Sequence, residues 1–349
     1  MLFSVGKLQP LFHSAIEAGI FSKAVAGFVL PGGERKILAF GVPKDAIFDL
    51  ASLTKVCPTS TIALKLVLEK KLGLDDRVVN YIPELKTNFR NEILVRHLLT
   101  HSLDYRVPMS TLWRRAPEDI INFLMEYQFN ARPGTVFNYG NPASILLGIL
   151  LSRLTGKDLQ KLGQEMIFGP LKMTRSGFKP LARFKPSEIV PTEICPDRGG
   201  ALCGEIHDES AFALRKLYPV GSAGMFSCVP DLLNFLETLL YDGDFYGKRI
   251  FPQGILNLIS QNALEGRIAH ECTALGFELN ADKFMGTKHS DRTFGKTGFT
   301  GSSIVADAEK GAGFVLLSNF TWPHREQNAD RINAFRALVS DTFFSLSND

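Results

Sequence analysis

The sequence predicts a mixed α/β fold: an antiparallel sheet flanked by helices and built from both chain ends, with an all-helical lobe inserted between them. Three observations carry this expectation. Strand-like apolar runs occur before residue 41 and return only after residue 275. Helical periodicity dominates residues 54–165, and the closing stretch 331–344 is again helical. The expected boundaries are 1–55 with 205–349 for the sheet domain and 56–204 for the mainly helical lobe, with an active site between the two.

Taken in order, residues 8–22 read as an amphipathic helix, because Lys7, Gln9, His13 and Glu17 interrupt the apolar residues, which recur at the three-to-four spacing of a helix face. Residues 24–30 and 37–40, separated by Pro31-Gly32-Gly33, read as a β-hairpin. A helical pattern then runs over 54–72 and stops at Gly73. Pro58 falls inside it, lacks the N–H that would bond back to Thr54, and predicts a kink in the first turns. Further helices are expected at 95–100, 117–127 and 142–154, the last two opening with proline. Residues 175–210 are rich in Pro and Gly and irregular; 231–240 is helical; 276–279, 303–306 and 313–318 read as strands.

A chain of 349 residues that is 45% hydrophobic can bury one large core or two fused ones. Its 39 basic and 36 acidic residues leave +3, without long runs, so no nucleic-acid partner is expected and the substrate belongs in a pocket. Five scattered cysteines, with neither a C-x-x-C pair nor metal-ligand spacing, read as reduced thiols. No secretory signal is visible in the opening residues, and the apolar run 145–151 is far short of the roughly 18 residues a membrane span needs. The expectation is a cytoplasmic protein without a membrane span.

The chemistry is sought first in Ser-x-x-Lys, which occurs at Ser4, Ser52 and Ser176. Only Ser52 opens a strong helical pattern, where Lys55 falls on the same face as the hydroxyl. A helix N-terminus also favours an alkoxide. By itself the motif reads first as a helix cap with a solvated lysine. Taken alone, Tyr139-Gly140-Asn141 in the helical lobe reads as a turn, and Lys296-Thr297-Gly298 in a late sheet strand reads as a strand end. The order and spacing of the three motifs make the case.

With these motifs the chain resembles the serine β-lactamase and penicillin-binding protein superfamily. Within it, the similarity is to the class C β-lactamase-like branch that includes D-alanyl carboxypeptidases and family VIII esterases. The resemblance extends over nearly the whole chain, through Leu50-Ala51-Ser52-Leu53-Thr54-Lys55, Leu72-Gly73-Leu74-Asp75-Asp76-Arg77-Val78, Val95-Arg96-His97-Leu98-Leu99-Thr100-His101-Ser102, Gly204-Glu205-Ile206-His207-Asp208-Glu209 and Phe294-Gly295-Lys296-Thr297-Gly298-Phe299-Thr300-Gly301.

The resemblance implies that Ser52 attacks a carbonyl, that Lys55 or Tyr139 takes its proton, and that Tyr139 returns one to the leaving group. It also implies an oxyanion hole from the N–H groups of Ser52 and Phe299, with Asn141 on the substrate amide and Lys296 with Thr297 on a substrate carboxylate; Gly298 completes that strand end. A lysine titrating near 10.4 is a poor base, so burial and a second cation, Lys296, are expected to lower the Lys55 pKa. No metal or organic cofactor is implied. Two departures stand out: His101-Ser102-Leu103-Asp104 lacks the glycine usual after this Thr-His pair, and Lys296 stands where many of the branch carry His.

Other candidates are weaker. His97 and His101 stand at i, i+4 but lack a third metal ligand. His207-Asp208-Glu209 is expected on a loop edging the site, and Gly221-Ser222-Ala223-Gly224 lacks the spacing of an esterase elbow. Cys57 is expected to be buried. The function expected is a serine hydrolase of amide or ester bonds acting on a small molecule or short peptide with a carboxylate near the scissile carbonyl. A small-ester esterase of the same fold and a non-catalytic binding or scaffold protein are the alternatives.

Overall fold

The computed structural model describes residues 5–325 and 329–346. Six strands form one antiparallel sheet: β1 (Ala24–Val29), β2 (Arg35–Phe40), β3 (Glu278–Leu279), β4 (Thr293–Thr297), β5 (Ser303–Asp307) and β6 (Ala312–Ser318), in spatial order β2-β1-β6-β5-β4-β3. β1 lies against β6 from Ala24 opposite Ser318 to Val29 opposite Gly313, so the two chain ends meet in mid-sheet, as the sequence predicts.

Alternation along the strands serves two cores. Val25, Val29, Ile304, Ala306, Val315 and Leu317 face the larger one; Ala26, Phe28, Val305, Phe314 and Leu316 face the smaller. The smaller core is covered by α1 (Gln9–Glu17) and the C-terminal helix α5 (Asp330–Leu346). There Phe12 stacks on Phe40 at 4.6 Å and meets Phe335 edge-on at 5.1 Å. On the other face, α4 (Val229–Leu240) presses so closely on β1 that a Cβ at Gly27 would stand 2.4 Å from Val229 Cγ1. Between these halves lie α2 (Thr61–Leu68), α3 (Asn141–Thr155) and shorter helices at Val95–Leu99 and Pro117–Glu126. Among the described residues no helix is long and apolar enough to cross a membrane.

Two helices differ from their expected extents. α1 stops at Glu17 rather than continuing to residue 22, because Gly19 turns left-handed at φ 68°. The helix expected over 54–72 is three pieces: a 3₁₀ turn at Ala51–Lys55, a widened turn at Val56–Ser60, and α2. Cys57, at φ −118° and ψ 106°, is not helical. The kink expected from Pro58 is therefore a full break, since proline removes a donor and disfavours helical geometry in the residue before it.

Candidate active site

The segment entering the site is fixed before Ser52 is reached. Phe48–Asp49 pairs with Phe226–Ser227, and the buried Asp49 carboxylate accepts the N–H groups of Ala51 and His207, each at 2.7 Å. Burial pushes the Asp49 carboxyl up, against those two bonds. Ala51 sits at φ 47°, an uncommon conformation for a residue with a Cβ, immediately before Ser52.

In a 3₁₀ turn, residues i and i+3 eclipse. The break after Lys55 thus leaves Lys55 Nζ donating to Ser52 Oγ at 2.9 Å. The same ammonium donates to Asn141 Oδ1 at 2.8 Å and to the Ser222 carbonyl at 3.0 Å, and Lys55 is only 1% exposed. Its three acceptors are neutral oxygens. Burial, joined by the Lys296 charge, holds the Lys55 pKa below the ordinary lysine value, although Tyr139 opposes them. Asn141, the first residue of α3, is oriented by donating from Nδ2 to Asp208 Oδ2 and Ser210 Oγ, each at 2.9 Å.

Tyr139 lies between two lysines. Lys296 Nζ is 3.8 Å from its ring centroid and Lys55 Nζ 5.3 Å, while the His101 ring meets it edge-on at 4.9 Å. The residue as a whole is 43% exposed, yet burial is the strongest single influence on its phenol and pushes it up. Lys296 and Lys55, with the contact to Ser52, outweigh burial and hold the phenol below its ordinary value. Lys296, also 1% exposed, donates to Glu278 Oε1 at 2.8 Å. Burial would lower its pKa, but Tyr139 and Glu278 outweigh that and raise it. Burial likewise opposes the ionised Glu278, which Lys296 and Lys283 nevertheless hold at about 2.

Thr297 ends β4, paired in register with Ser303. Gly298 follows in a turn where only glycine fits, since a Cβ would lie 2.1 Å from Ser302 Oγ and 2.3 Å from the Leu50 carbonyl. Phe299 stands half exposed, its ring stacked 5.6 Å from His207. Ser52 and Phe299 line one cavity of about 290 Å³ with Ser110, Asp208, Glu209 and Arg325. Arg325 is tied to Glu193 and Glu209 on the wall of this cavity, and His207 contacts Glu193 at 3.0 Å.

The rejected candidates have other places. Ser176 is buried, bonded to Ser227 Oγ at 2.7 Å and Asp231 Oδ2 at 2.8 Å; Ser4 lies outside the described residues. His97 accepts the Leu94 N–H, whereas His101 lies past the helix end at φ 52°, so the two share no helical face. Cys57 is 1% exposed and burial pushes its thiol up.

A family model described as Beta-lactamase matches residues 19–338. The chain belongs to the beta-lactamase family. A protein of Escherichia coli (strain K12) named as a candidate D-alanyl-D-alanine carboxypeptidase is 29% identical, the match covering 78% of this chain and 69% of that one. An N-acetylmuramyl-L-alanine amidase of Bacillus subtilis (strain 168) is 27% identical over 90% of this chain and 80% of its own. Among solved structures, EstCE1, a hydrolase with promiscuous acyltransferase activity, is similar in fold with a TM-score of 0.72 at 21% identity, covering 95% of this chain and 98% of that one.

This member of the beta-lactamase family is an enzyme, a serine hydrolase. Sequence reasoning missed several of the groups around its candidate site. Glu278 sits on a two-residue strand, Ser222 contributes a backbone carbonyl, and Arg325 reaches the cavity from beyond the last strand. Neither Glu278 nor Arg325 carries a local motif, and Ser222 stands in the Gly221-Ser222-Ala223-Gly224 stretch weighed only as an esterase elbow. His101 was in view, but as a metal candidate rather than as a neighbour of Tyr139.

Proposed function

We propose that this serine hydrolase cleaves amide or ester bonds through an acyl-enzyme on Ser52. The Oγ–carbonyl bond forms as the hydroxyl proton passes to Lys55 or Tyr139; Tyr139 then protonates the leaving nitrogen or oxygen, and water releases the acyl group. The N–H groups of Ser52 and Phe299 would hold the oxyanion, and Asn141 the substrate amide. In this reading the sheet domain, 1–55 and 205–349, supplies Ser52, Lys55 and Phe299; the helical lobe, 56–204, supplies Tyr139 and Asn141. One observation carries it: Lys55 Nζ stands 2.9 Å from Ser52 Oγ, buried among neutral acceptors that do not hold its proton.

The substrate is a small molecule or short peptide with a carboxylate near the scissile carbonyl, seated at the Thr297 end of β4 in the field of Lys296. The names of the relatives, a carboxypeptidase and an amidase, fit such a substrate. A small neutral ester is the second reading, and the Lys296–Glu278 pair favours it, because a cation already bonded to a carboxylate attracts another one weakly.

Intact-mass measurement tests the acyl-enzyme. An activated ester or a penicillin is expected to add its acyl mass to the wild type and not to Ser52→Ala. An adduct that persists in the variant, or maps to Ser4 or Ser176, removes Ser52 from the role.

A further inference from the structure

Arg336, on α5, is 2% exposed and lies beneath the turn that carries Phe299. Its Nη2 donates to the Gly298 carbonyl at 2.9 Å and the Ser302 carbonyl at 2.8 Å, and its Nη1 to Asn333 Oδ1 at 2.8 Å. Among the described residues Nε has no partner and no carboxylate lies within ion-pair distance. A buried guanidinium served only by neutral acceptors is an expensive arrangement. Burial lowers its pKa to about 9, with Glu278 opposing from a distance, and it stays charged at neutral pH.

The Gly298 carbonyl and the Phe299 N–H are the two ends of one planar amide. Electron density drawn toward the carbonyl oxygen leaves the N–H a stronger donor, and hydrogen bonds chained through an amide reinforce one another by roughly 10–30%. Two donors converge on this oxygen: the Arg336 guanidinium and, at 3.1 Å, the Gly301 N–H. On the other side, the Phe299 N–H has no protein acceptor among the described residues, and Phe299 lines the Ser52 cavity. The turn cannot drift relative to Ser52 either, because Thr300 Oγ1 donates to the Asp49 carbonyl at 2.8 Å and Ser302 Oγ to the Leu50 carbonyl at 2.9 Å.

We propose that Arg336 is a positioning residue of the oxyanion hole: from the far side of the sheet it polarises the Gly298–Phe299 peptide, whose N–H binds the acyl oxygen. This rests on the acyl-enzyme reading above. Removing an oxyanion donor outright costs about 10²–10³-fold in kcat, so weakening one is expected to cost about tenfold, with KM nearly unchanged.

The test reads the acyl carbonyl directly. Wild type, Arg336→Met and Asn333→Asp are acylated with a carbonyl-¹³C ester, and the infrared stretch of the acyl group is compared in each. Both variants are expected to shift it to higher frequency, Arg336→Met the more, with a parallel loss of kcat. Asn333→Asp keeps the arginine in place but gives its charge a carboxylate to share, so it reports even if Arg336→Met does not fold. A carbonyl frequency equal to wild type in folded, Ser52-acylated variants overturns the proposal and leaves Arg336 a strut. Wild type that carries no acyl group on Ser52 overturns the acyl-enzyme reading itself, and the Arg336 assignment with it.

Discussion

Lys55 and Lys296 are equally sealed, each 1% exposed, and both face the Tyr139 ring. Lys55 bonds three neutral oxygens, whereas Lys296 bonds the Glu278 carboxylate. Burial acts on both, yet the pKa falls at Lys55 and rises at Lys296. The same residue type beside the same tyrosine is thereby made into a group that can release a proton and a group that keeps one. The difference lies in the partners, because a low-dielectric interior magnifies whichever charge is nearest.

The strongest way to break this contrast is to delete the proton-releasing side. Lys55→Ala is expected to lower kcat by at least about 10²-fold, the low end for general acid–base catalysis. Lys55→Arg should be no better, since a guanidinium keeps its proton at neutral pH. Tyr139→Phe should lose as much, and the double variant little more, as expected of groups that act as one unit. Steady-state rates on an activated ester measure all of these. A near-normal rate in either single variant takes that residue out of the proton path.

Deleting the proton-keeping side has a sign that can be worked out in advance. Lys296 lowers the pKa of both Tyr139 and Lys55. Lys296→Met should therefore move the acid limb of kcat/KM to higher pH whichever of the two is the base, with a loss of about tenfold or more at neutral pH, one 1.4 kcal/mol step. Glu278 acts on Tyr139 in the opposite sense, so with Tyr139 as the base Glu278→Gln should move the limb to lower pH. Glu278 also titrates at about 2, below its ordinary value; its pairing stabilises the fold at neutral pH and loses that contribution as pH falls toward 2. Glu278→Gln should lack this part of the acid denaturation. Limbs that move the same way in both variants contradict the pairing.

How legible was this from the residues alone? The hairpin at 24–40, the C-terminal helix and the spacing of Ser52 to Lys55 are local patterns, and they read correctly. The break at Cys57 was visible only as a proline, because the extent of a kink depends on what the flanking turns pack against. The asymmetry between the lysines was not visible at all. Asn141 and Ser222 reach Lys55 from 86 and 167 residues away, and Glu278 meets Lys296 across an edge pairing of two residues. Motifs record which groups are present, while their charge states are settled by such distant neighbours.

A narrower exchange sharpens the contrast. Asn141→Asp in an Asp208→Asn background would give Lys55 a carboxylate of its own, with the amide that Asn141 loses restored opposite it. Lys55 should then behave like Lys296. Activity at neutral pH is expected to fall about tenfold and to recover at higher pH, again one 1.4 kcal/mol step. A loss that is flat with pH would mean that Asn141 serves substrate binding rather than the state of Lys55.

The smallest effect is expected at Ser222. Its carbonyl accepts from Lys55 at 3.0 Å, but its hydroxyl is buried without a partner among the described residues. A backbone acceptor survives any side-chain substitution, so Ser222→Ala leaves the Lys55 environment intact while removing an unsatisfied polar group, a change that is neutral or slightly stabilising in a core. The variant should keep kcat/KM within about twofold and melt no lower than wild type. The neighbouring Gly221 admits no such freedom: a Cβ there would lie 2.2 Å from the Ser144 carbonyl. Gly221→Ala should therefore displace the Ser222 carbonyl from Lys55 and cost activity where Ser222→Ala does not. Equal rates in the two variants would show that the carbonyl contact has no part in holding Lys55, and a large loss in Ser222→Ala would mean that its hydroxyl joins the proton network.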